Sequence, residues 1–392
     1  MKIAIVFDKM IYGGIERVGI SHIQLLKELG HTVDAYVLDK HTEPIVKELQ
    51  DLCDVRIIPL RLKECPETYW TITRRFKLGV YAFPIIRATL SFWIHIKSIL
   101  YRYRRPSYDV AIGFSGHYND LSFVAYNFVR SKKKIAWLHG ALYQYIMSSQ
   151  GFETLYKKIK NLVVLVGDGQ EEVFAVHKDD GFDFNVTKIY NPIPSTYHLV
   201  NRKVADMLKQ KYGDYFLMVS RMVYPHKDHY TVIKALSILK DKYNIKKNLV
   251  LVGDGPERKK IENYIAELGM GDQVKIEGSK GDVQNYFCSC NILVHASVAG
   301  EGLPTVLLEA MEYKKPLVCT DSKVGPREII GNNEYGLLCQ VQDAEEMAEC
   351  MYKLVDNTET YQKYSEKSYE RRSSFTPSSI IAFDKRLLEN LR

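Results

Sequence analysis

The sequence predicts an α/β protein built from two Rossmann-like domains, and three observations carry that expectation. The chain has 392 residues, more than one hydrophobic core usually serves. Its opening alternates buried strands with helices, the pattern of a parallel sheet covered on both faces. After a double-proline break at Tyr190-Asn191-Pro192-Ile193-Pro194 the same alternation starts again.

In order along the chain, Ile3 to Phe7 reads as a buried strand, followed by a loop with Gly13 and Gly14 and a helix from about Glu16 to Leu29. Gly30 and His31 stop that helix, and Thr32 to Leu38 is the next strand. Val110 to Phe114, Lys134 to Leu138 and Asn161 to Val166 are further strands, rich in branched apolar residues. Beyond the break, strands are expected at Tyr215 to Val219, Asn248 to Val252, Val274 to Glu277, Ile292 to His295 and Pro316 to Cys319. Helices at about Tyr230 to Lys242 and Glu257 to Leu268 fall between them, with another between the last two strands. The boundaries drawn are 1–191 and 192–376. A last amphipathic segment, 377–392, with Ile380, Ile381, Phe383, Leu387, Leu388 and Leu391 at near-helical spacing, is expected to pack back on the first domain.

Composition excludes several classes. Hydrophobic residues at 46% and charged residues at 26% belong to an ordinary folded protein rather than a disordered or fibrous one. The seven cysteines include no CxxC pair, and Cys288 with Cys290 has the wrong spacing for a zinc knuckle, so reduced thiols are expected. MKIAIVF passes directly into a strand pattern instead of an export signal, and a cytoplasmic location is expected.

The net charge of +7 is unevenly spread: residues 56–105 hold eleven Lys or Arg against Glu64 and Glu67. Inside that stretch, residues 78–100 are apolar and aromatic but interrupted by Pro84, Arg87, His95 and Lys97, which argues against a spanning helix. Two readings stay open. One is a helix lying on an anionic membrane surface, peripheral to the inner face of the cytoplasmic membrane; the other is a core helix with a solvated basic face. Binding of nucleic acid is not expected, since no motif of that kind accompanies the charge.

The most informative segment is Glu301-Gly302-Leu303-Pro304-Thr305-Val306-Leu307-Leu308-Glu309. A tight turn at Gly302 to Thr305 leading into a helix would point free backbone N–H groups at an anion such as a phosphate. Glu309, about a turn further, can accept paired hydrogen bonds from vicinal hydroxyls, and Glu301 stands before the turn where a sugar could be reached. The same residues also suit a plain capped helix.

Together with three other segments in order, this one resembles the paired-glutamate motif of a large retaining glycosyltransferase family of GT-B fold, glycosyltransferase family 4. The others are Gly13-Gly14-Ile15-Glu16-Arg17, then Ser220-Arg221 with Lys227, then Gly253-Asp254-Gly255-Pro256. The resemblance runs over essentially the whole chain. It implies two domains facing a central cleft, the first on the acceptor side and the second binding a nucleotide sugar. It implies a catalytic set of Glu301, Arg221, Lys227 and His139, the last in contact with the donor sugar. It further implies donor contacts from Glu309, Gly302, Leu303, Pro304, Thr305, Gly253 and Gly255, and an acceptor or phosphate loop at Gly13, Gly14 and Glu16. Arg221 and Lys227 would meet the diphosphate, where fixed cations stabilise the charge that builds on the leaving group.

Neither a cofactor nor a metal is expected, because no Asp-x-Asp pair is present to hold a divalent ion. The stretch Asp321 to Ile330 resembles members that use UDP-linked sugars, which favours UDP over GDP. Bulky Met10, Ile11 and Tyr12 depart from the small residues common in the family at that place, so acceptor contacts transfer least. The expected function is transfer of a hexose or N-acetylhexosamine from a UDP-sugar to a lipid-linked or cell-surface glycan. The competing readings are a non-catalytic nucleotide-sugar-binding subunit, a GDP-mannose-type donor specificity, and a phosphorylase-like or epimerase enzyme. A nicotinamide-dependent oxidoreductase is disfavoured because DKMIYGGIER lacks G-x-G-x-x-G.

Overall fold

The structure is a computed structural model that describes residues 1–11, 13–40, 45–58, 60, 66–139, 150–166, 185–193, 199–298, 301–323 and 325–382. The chain separates into two units, Met1–Pro192 with Pro377–Arg392, and Ile193–Thr376.

The first unit is a sheet of seven parallel strands: β1 (Lys2–Phe7), β2 (Thr32–Val37), β3 (Asp54–Ile57), β4 (Ser107–Gly113), β5 (Arg130–Trp137), β6 (Asn161–Val164) and β7 (Asn185–Lys188). Their spatial order is β3-β2-β1-β4-β5-β6-β7. Ile3 to Phe7 are fully buried, as a central strand with helices on both faces requires. The Ile, Val and Phe side chains among them each contribute about 1.5–3 kcal/mol by leaving water. Helix α1 (Gly14–Glu28) turns Val18, Ile23, Leu25 and Leu26 onto the sheet. Its Gly19 is a site of close approach, since a Cβ there would stand 2.3 Å from the Phe7 ring. Around the remaining strands lie α2 (Ile45–Leu52), α3 (Trp70–Thr73), α4 (Lys77–Arg102), α5 (Tyr118–Ala125) and α6 (Gln150–Ile159).

Helix α4 departs from both readings of the basic stretch in the character of its exposed side. Phe83, Ile94 and Ser98 are its buried residues, Ile94 belongs to the core of the unit, and Ser91 meets the Tyr126 hydroxyl at 2.9 Å. Its other side is neither buried nor mainly basic: Leu78, Tyr81, Ile85, Phe92 and Ile99 are exposed. Of the final segment 377–392, residues up to 382 are described, and Ile380 is fully buried; Phe383, Leu387, Leu388 and Leu391 lie outside the described residues.

The second unit has six parallel strands, β8 (Tyr215–Val219), β9 (Asn248–Val252), β10 (Val274–Gly278), β11 (Ile292–His295), β12 (Leu317–Thr320) and β13 (Leu337–Cys339), in the order β10-β9-β8-β11-β12-β13. Helices α7 (Arg202–Tyr212), α8 (His229–Tyr243), α9 (Arg258–Glu267), α10 (Val283–Ser289), α11 (Thr305–Glu312), α12 (Gly325–Ile330), α13 (Ala344–Asp356) and α14 (Thr358–Arg371) surround them. Several start on side-chain caps: Asn201, Asp228, Asp343 and Asn357 each accept from a first-turn N–H, replacing a bond the helix itself cannot make.

In both sheets the strand order reverses at one place, between β1 and β4 in the first and between β8 and β11 in the second. Loops leaving such a pair of strands diverge to opposite faces and open a crevice at their carboxyl ends, where ligands of α/β sheets bind.

Candidate functional site

In the second unit the loops after β8 and β11 are bound to each other. Asp228 N–H donates to the Ala296 carbonyl at 2.9 Å, Val298 N–H to Pro225 at 3.0 Å, and the Ser297 hydroxyl to His226 at 2.7 Å. This fixes Lys227 so that its Nζ donates to Glu301 Oε1 at 2.6 Å. His295, the last residue of β11, places Nε2 at 3.0 Å from the same oxygen. Two residues 74 positions apart, both expected at the site, are therefore an ion pair with a buried imidazole beside them.

The protonation states follow from the geometry. Burial opposes ionisation of Glu301, but the neighbouring His295 and Lys227 outweigh it and hold the carboxyl far below its usual range. Since a carboxylate only accepts, Nε2 of His295 carries the proton. Burial also pushes His295 down, so its ring is neutral and Lys227 is the cation. Nδ1 of His295 is buried with no hydrogen-bond partner among the described residues. Arg221 is exposed after β8.

The other residues expected to meet the donor lie in the loops after β9 and β11 and on α11 of the same unit. Glu301 C=O accepts from Gly325 N–H at 2.9 Å. A Cβ on Gly325 would stand 1.8 Å from the Gly302 carbonyl oxygen, so glycine is needed where these loops touch. Gly302, Leu303 and Pro304 are buried and Thr305 is half-buried. Pro304 is the N-cap of α11, not its first helical residue, and no side chain caps that end. Glu309 is half-buried on the second turn. Gly253 and Gly255 have a backbone reason for being glycine. Added Cβ atoms would stand 2.0 Å from the Ser220 carbonyl and 2.4 Å from that of Met222, and Gly253 has φ +141°. Met222 N–H donates to Asp254, which locks the turn against the loop after β8.

The first unit carries a second polar cluster at its own reversal point. Asp8, just past β1, accepts from Asn119 at 2.6 Å and lies 3.1 Å from His117 Nδ1. The bond to Asp8 raises His117, while Asp8, despite its burial, is lowered by His117 and Asn119. Asp120 is fully buried and pushed up to about 7 by loss of solvent, with both oxygens accepting backbone N–H groups from Gly116 and His117. Glu16 is buried and raised by desolvation. Its Oε2 lies 2.5 Å from where a Gly13 Cβ would stand, so glycine at 13 makes room for that carboxylate at the start of α1. His139, at the end of β5, bonds the Phe114 carbonyl through Nε2 at 2.6 Å and is pushed down by burial to about 3.

Sequence reasoning missed His295, Asp8, His117, Asn119 and Asp120. The available signal was position: His295 ends one strand of a reversal pair, and Asp8 and His117 follow the two strands of the other. Among the described residues no three His, Cys, Asp or Glu side chains are grouped as metal ligands. The six described cysteines are free thiols.

Residues 202–371 match the family described as Glycosyl transferases group 1. Among curated relatives, an N-acetylgalactosaminyltransferase of Campylobacter jejuni acting on N-acetylgalactosamine-N,N'-diacetylbacillosaminyl-diphospho-undecaprenol is 29% identical over 39% of this chain and 41% of its own length. An uncharacterized glycosyltransferase of Haemophilus influenzae is 32% identical over 38% of the chain and 42% of its own. The chain thus spans under half the length of these relatives. Among solved structures, Anabaena HepE in complex with UDP superposes with a TM-score of 0.75 at 18% identity, covering 100% of both chains. A glycosyltransferase from Rickettsia africae gives 0.71 at 17% identity, covering 100% of this chain and 98% of its own. At that identity the likeness is one of fold, and the fold is that of the GT-B glycosyltransferases.

Proposed function

We propose, from the match of residues 202–371 to the family described as Glycosyl transferases group 1, that the protein moves a hexose or N-acetylhexosamine from a UDP-sugar to a hydroxyl of a lipid-linked or cell-surface glycan. It does so with retention of configuration and without a metal ion or cofactor. The observation that carries this reading is the cation Lys227, held at 2.6 Å by Glu301 at the strand reversal of the second unit. An ammonium has three donors, and one goes to Glu301. The others, with exposed Arg221, are available to the oxygens of a departing diphosphate, whose charge grows in the transition state. Glu301 sets the position of the ammonium, and neutral His295 steadies that carboxylate without adding charge.

The acceptor oxygen attacks the anomeric carbon on the face the diphosphate leaves, the bond to the phosphate oxygen breaks, and a phosphate oxygen takes the acceptor proton. Glu309 accepts from vicinal hydroxyls of the donor, and His139 meets the donor sugar. In the first unit, the carboxylates of Asp8 and Glu16 suit hydroxyls of an acceptor better than a phosphate, which they would repel. UDP is favoured because the HepE structure holds it. A lipid-linked acceptor is favoured by the diphospho-undecaprenol substrate named for the Campylobacter relative. This reading puts the reaction at the cytoplasmic face of the membrane, with the basic stretch of the first unit toward an anionic surface.

The test incubates the protein with a panel of UDP- and GDP-sugars and follows release of nucleotide, with NMR of the anomeric product. Slow hydrolysis of one or two UDP-sugars with retention is expected. Tight UDP binding with no turnover would leave only a nucleotide-sugar-binding subunit, and a preference for GDP-mannose would overturn the donor assignment.

A further inference from the structure

Helix α4 has two apolar faces where a helix on a protein surface usually has one. At 100° per residue, buried Phe83, Ile94 and Ser98 share an arc of about 60°. Leu78, Tyr81, Ile85, Phe92 and Ile99, spaced by three, four, seven and seven, share a second arc of about 60° on the opposite side. That second face is exposed, from 43% at Ile99 to 84% at Leu78. With its 26 residues the helix is about 39 Å long. Its length and composition alone would allow it to span a bilayer. It cannot do so while packed here, because one side is anchored in the unit: Arg87 reaches the Thr154 hydroxyl at 3.2 Å and Ser91 the Tyr126 hydroxyl at 2.9 Å.

We propose that α4 lies in the plane of an anionic bilayer, with the Leu78–Tyr81–Ile85–Phe92–Ile99 face inserted among the acyl chains. The charge pattern selects this occupant. From Thr68 to Tyr108 the chain contains no Asp or Glu and eight Lys or Arg. Exposed Arg75 and Lys77 lie at one end of the helix and exposed Arg104 and Arg105 at the other. A second copy docked on this face would bring basic ends together in either orientation, with no carboxylate in the segment to offset them. Anionic headgroups meet both ends at once, and Trp93 and Tyr103 flank the apolar face at the level where aromatic rings settle.

The inference draws its purpose from the lipid-linked acceptor reading, but vesicle binding needs no donor sugar, so either can fail alone. It also differs from attraction by charge, because insertion leaves a component that salt does not remove. The experiment is co-sedimentation of the full chain with phosphatidylethanolamine–phosphatidylglycerol vesicles and with phosphatidylcholine vesicles, at low and high salt. The variants are L78D/I85D/F92D and R75S/R104S/R105S, with light scattering in the absence of lipid.

Wild type is expected to bind anionic vesicles at least tenfold better than neutral ones and to keep a measurable fraction bound at high salt. The aspartate variant, altered only at exposed positions, loses that fraction, and the serine variant loses mainly the salt-sensitive part. Quenching of Trp93 by bromine-labelled acyl chains, absent in Trp93→Phe, keeps the idea testable should the aspartate variant misfold. Complete release of wild type by salt, undiminished binding of the aspartate variant, or a lipid-free dimer that the aspartate variant abolishes would each overturn the proposal.

Discussion

Replacing Lys227 by Met removes the ammonium and leaves Glu301 behind. Breaking a buried pair from one side costs about 3–5 kcal/mol because a charge is stranded away from water. Two features reduce that figure here: the side chains are 23% and 12% exposed, and His295 still donates to the same oxygen at 3.0 Å. A loss of about 2 kcal/mol is the expectation, which for a unit of this size lowers its melting temperature by about 4–8 °C. Glu301→Gln alone should also destabilise, since it leaves the ammonium facing an amide. The double variant should regain at least about 1 kcal/mol over the sum, because neither charge is then stranded.

The pH dependence has a definite sign. Glu301 is depressed in the folded protein, so its contribution is present above the ordinary carboxylate range and is lost as pH falls toward its folded value. In Lys227→Met the carboxyl rises and protonates sooner, so the gap to wild type should narrow as pH is lowered from about 7 to about 4. Calorimetry of wild type, both single variants and the double variant at several pH values measures all of this. Additive losses, or a gap that widens in acid, would refute the pairing.

Glu309→Gln should lower turnover by more than tenfold with melting temperature nearly unchanged, measured with whichever nucleotide sugar the donor panel selects; a wild-type rate removes Glu309 from the donor site. Activity should survive EDTA unaltered, checked by assays with and without added magnesium or manganese. The His117 ring is raised by its bond to Asp8, so an NMR titration should give a midpoint above the ordinary value of about 6.5. The stability this pair adds is present below that value and lost as pH rises through the folded midpoint, and Asp8→Asn should return the midpoint toward 6.5 and flatten that dependence.

What could be read from sequence depended on the range of the interaction. Ile3–Phe7 and Asn248–Val252 announce themselves because a strand covered on both faces must be apolar along its length. β3, β7 and β13 did not: DVRI and NVTK are short, largely half-exposed strands with charged or polar residues, and LLC is too short to show a period. Residues 78–100 were legible as an apolar segment, but which face meets the protein depends on Ile94 and Ser98 finding partners elsewhere in the fold. Glu301 and Lys227 were each singled out, yet their pairing was not, because it requires β8 and β11 to be neighbours. His295, Asp8 and His117 carry no local pattern and gain meaning only where the strand order reverses.

The second unit is one continuous stretch, while the first is closed by residues from Pro377 onward. Entry and exit of the stretch are tied together, Ile193 N–H donating to the Phe375 carbonyl at 2.8 Å. Synthesis proceeds from the N-terminus and domains fold largely as they emerge. The unit begun first is therefore finished last: residues 193–376 can complete their own sheet on the ribosome while the earlier sheet still lacks the helix bearing buried Ile380. A stop codon just after Thr376 would thus damage the distant N-terminal unit rather than the adjacent one. Residues 193–376 can be produced as a single uninterrupted piece, whereas residues 1–192 need their returning segment supplied.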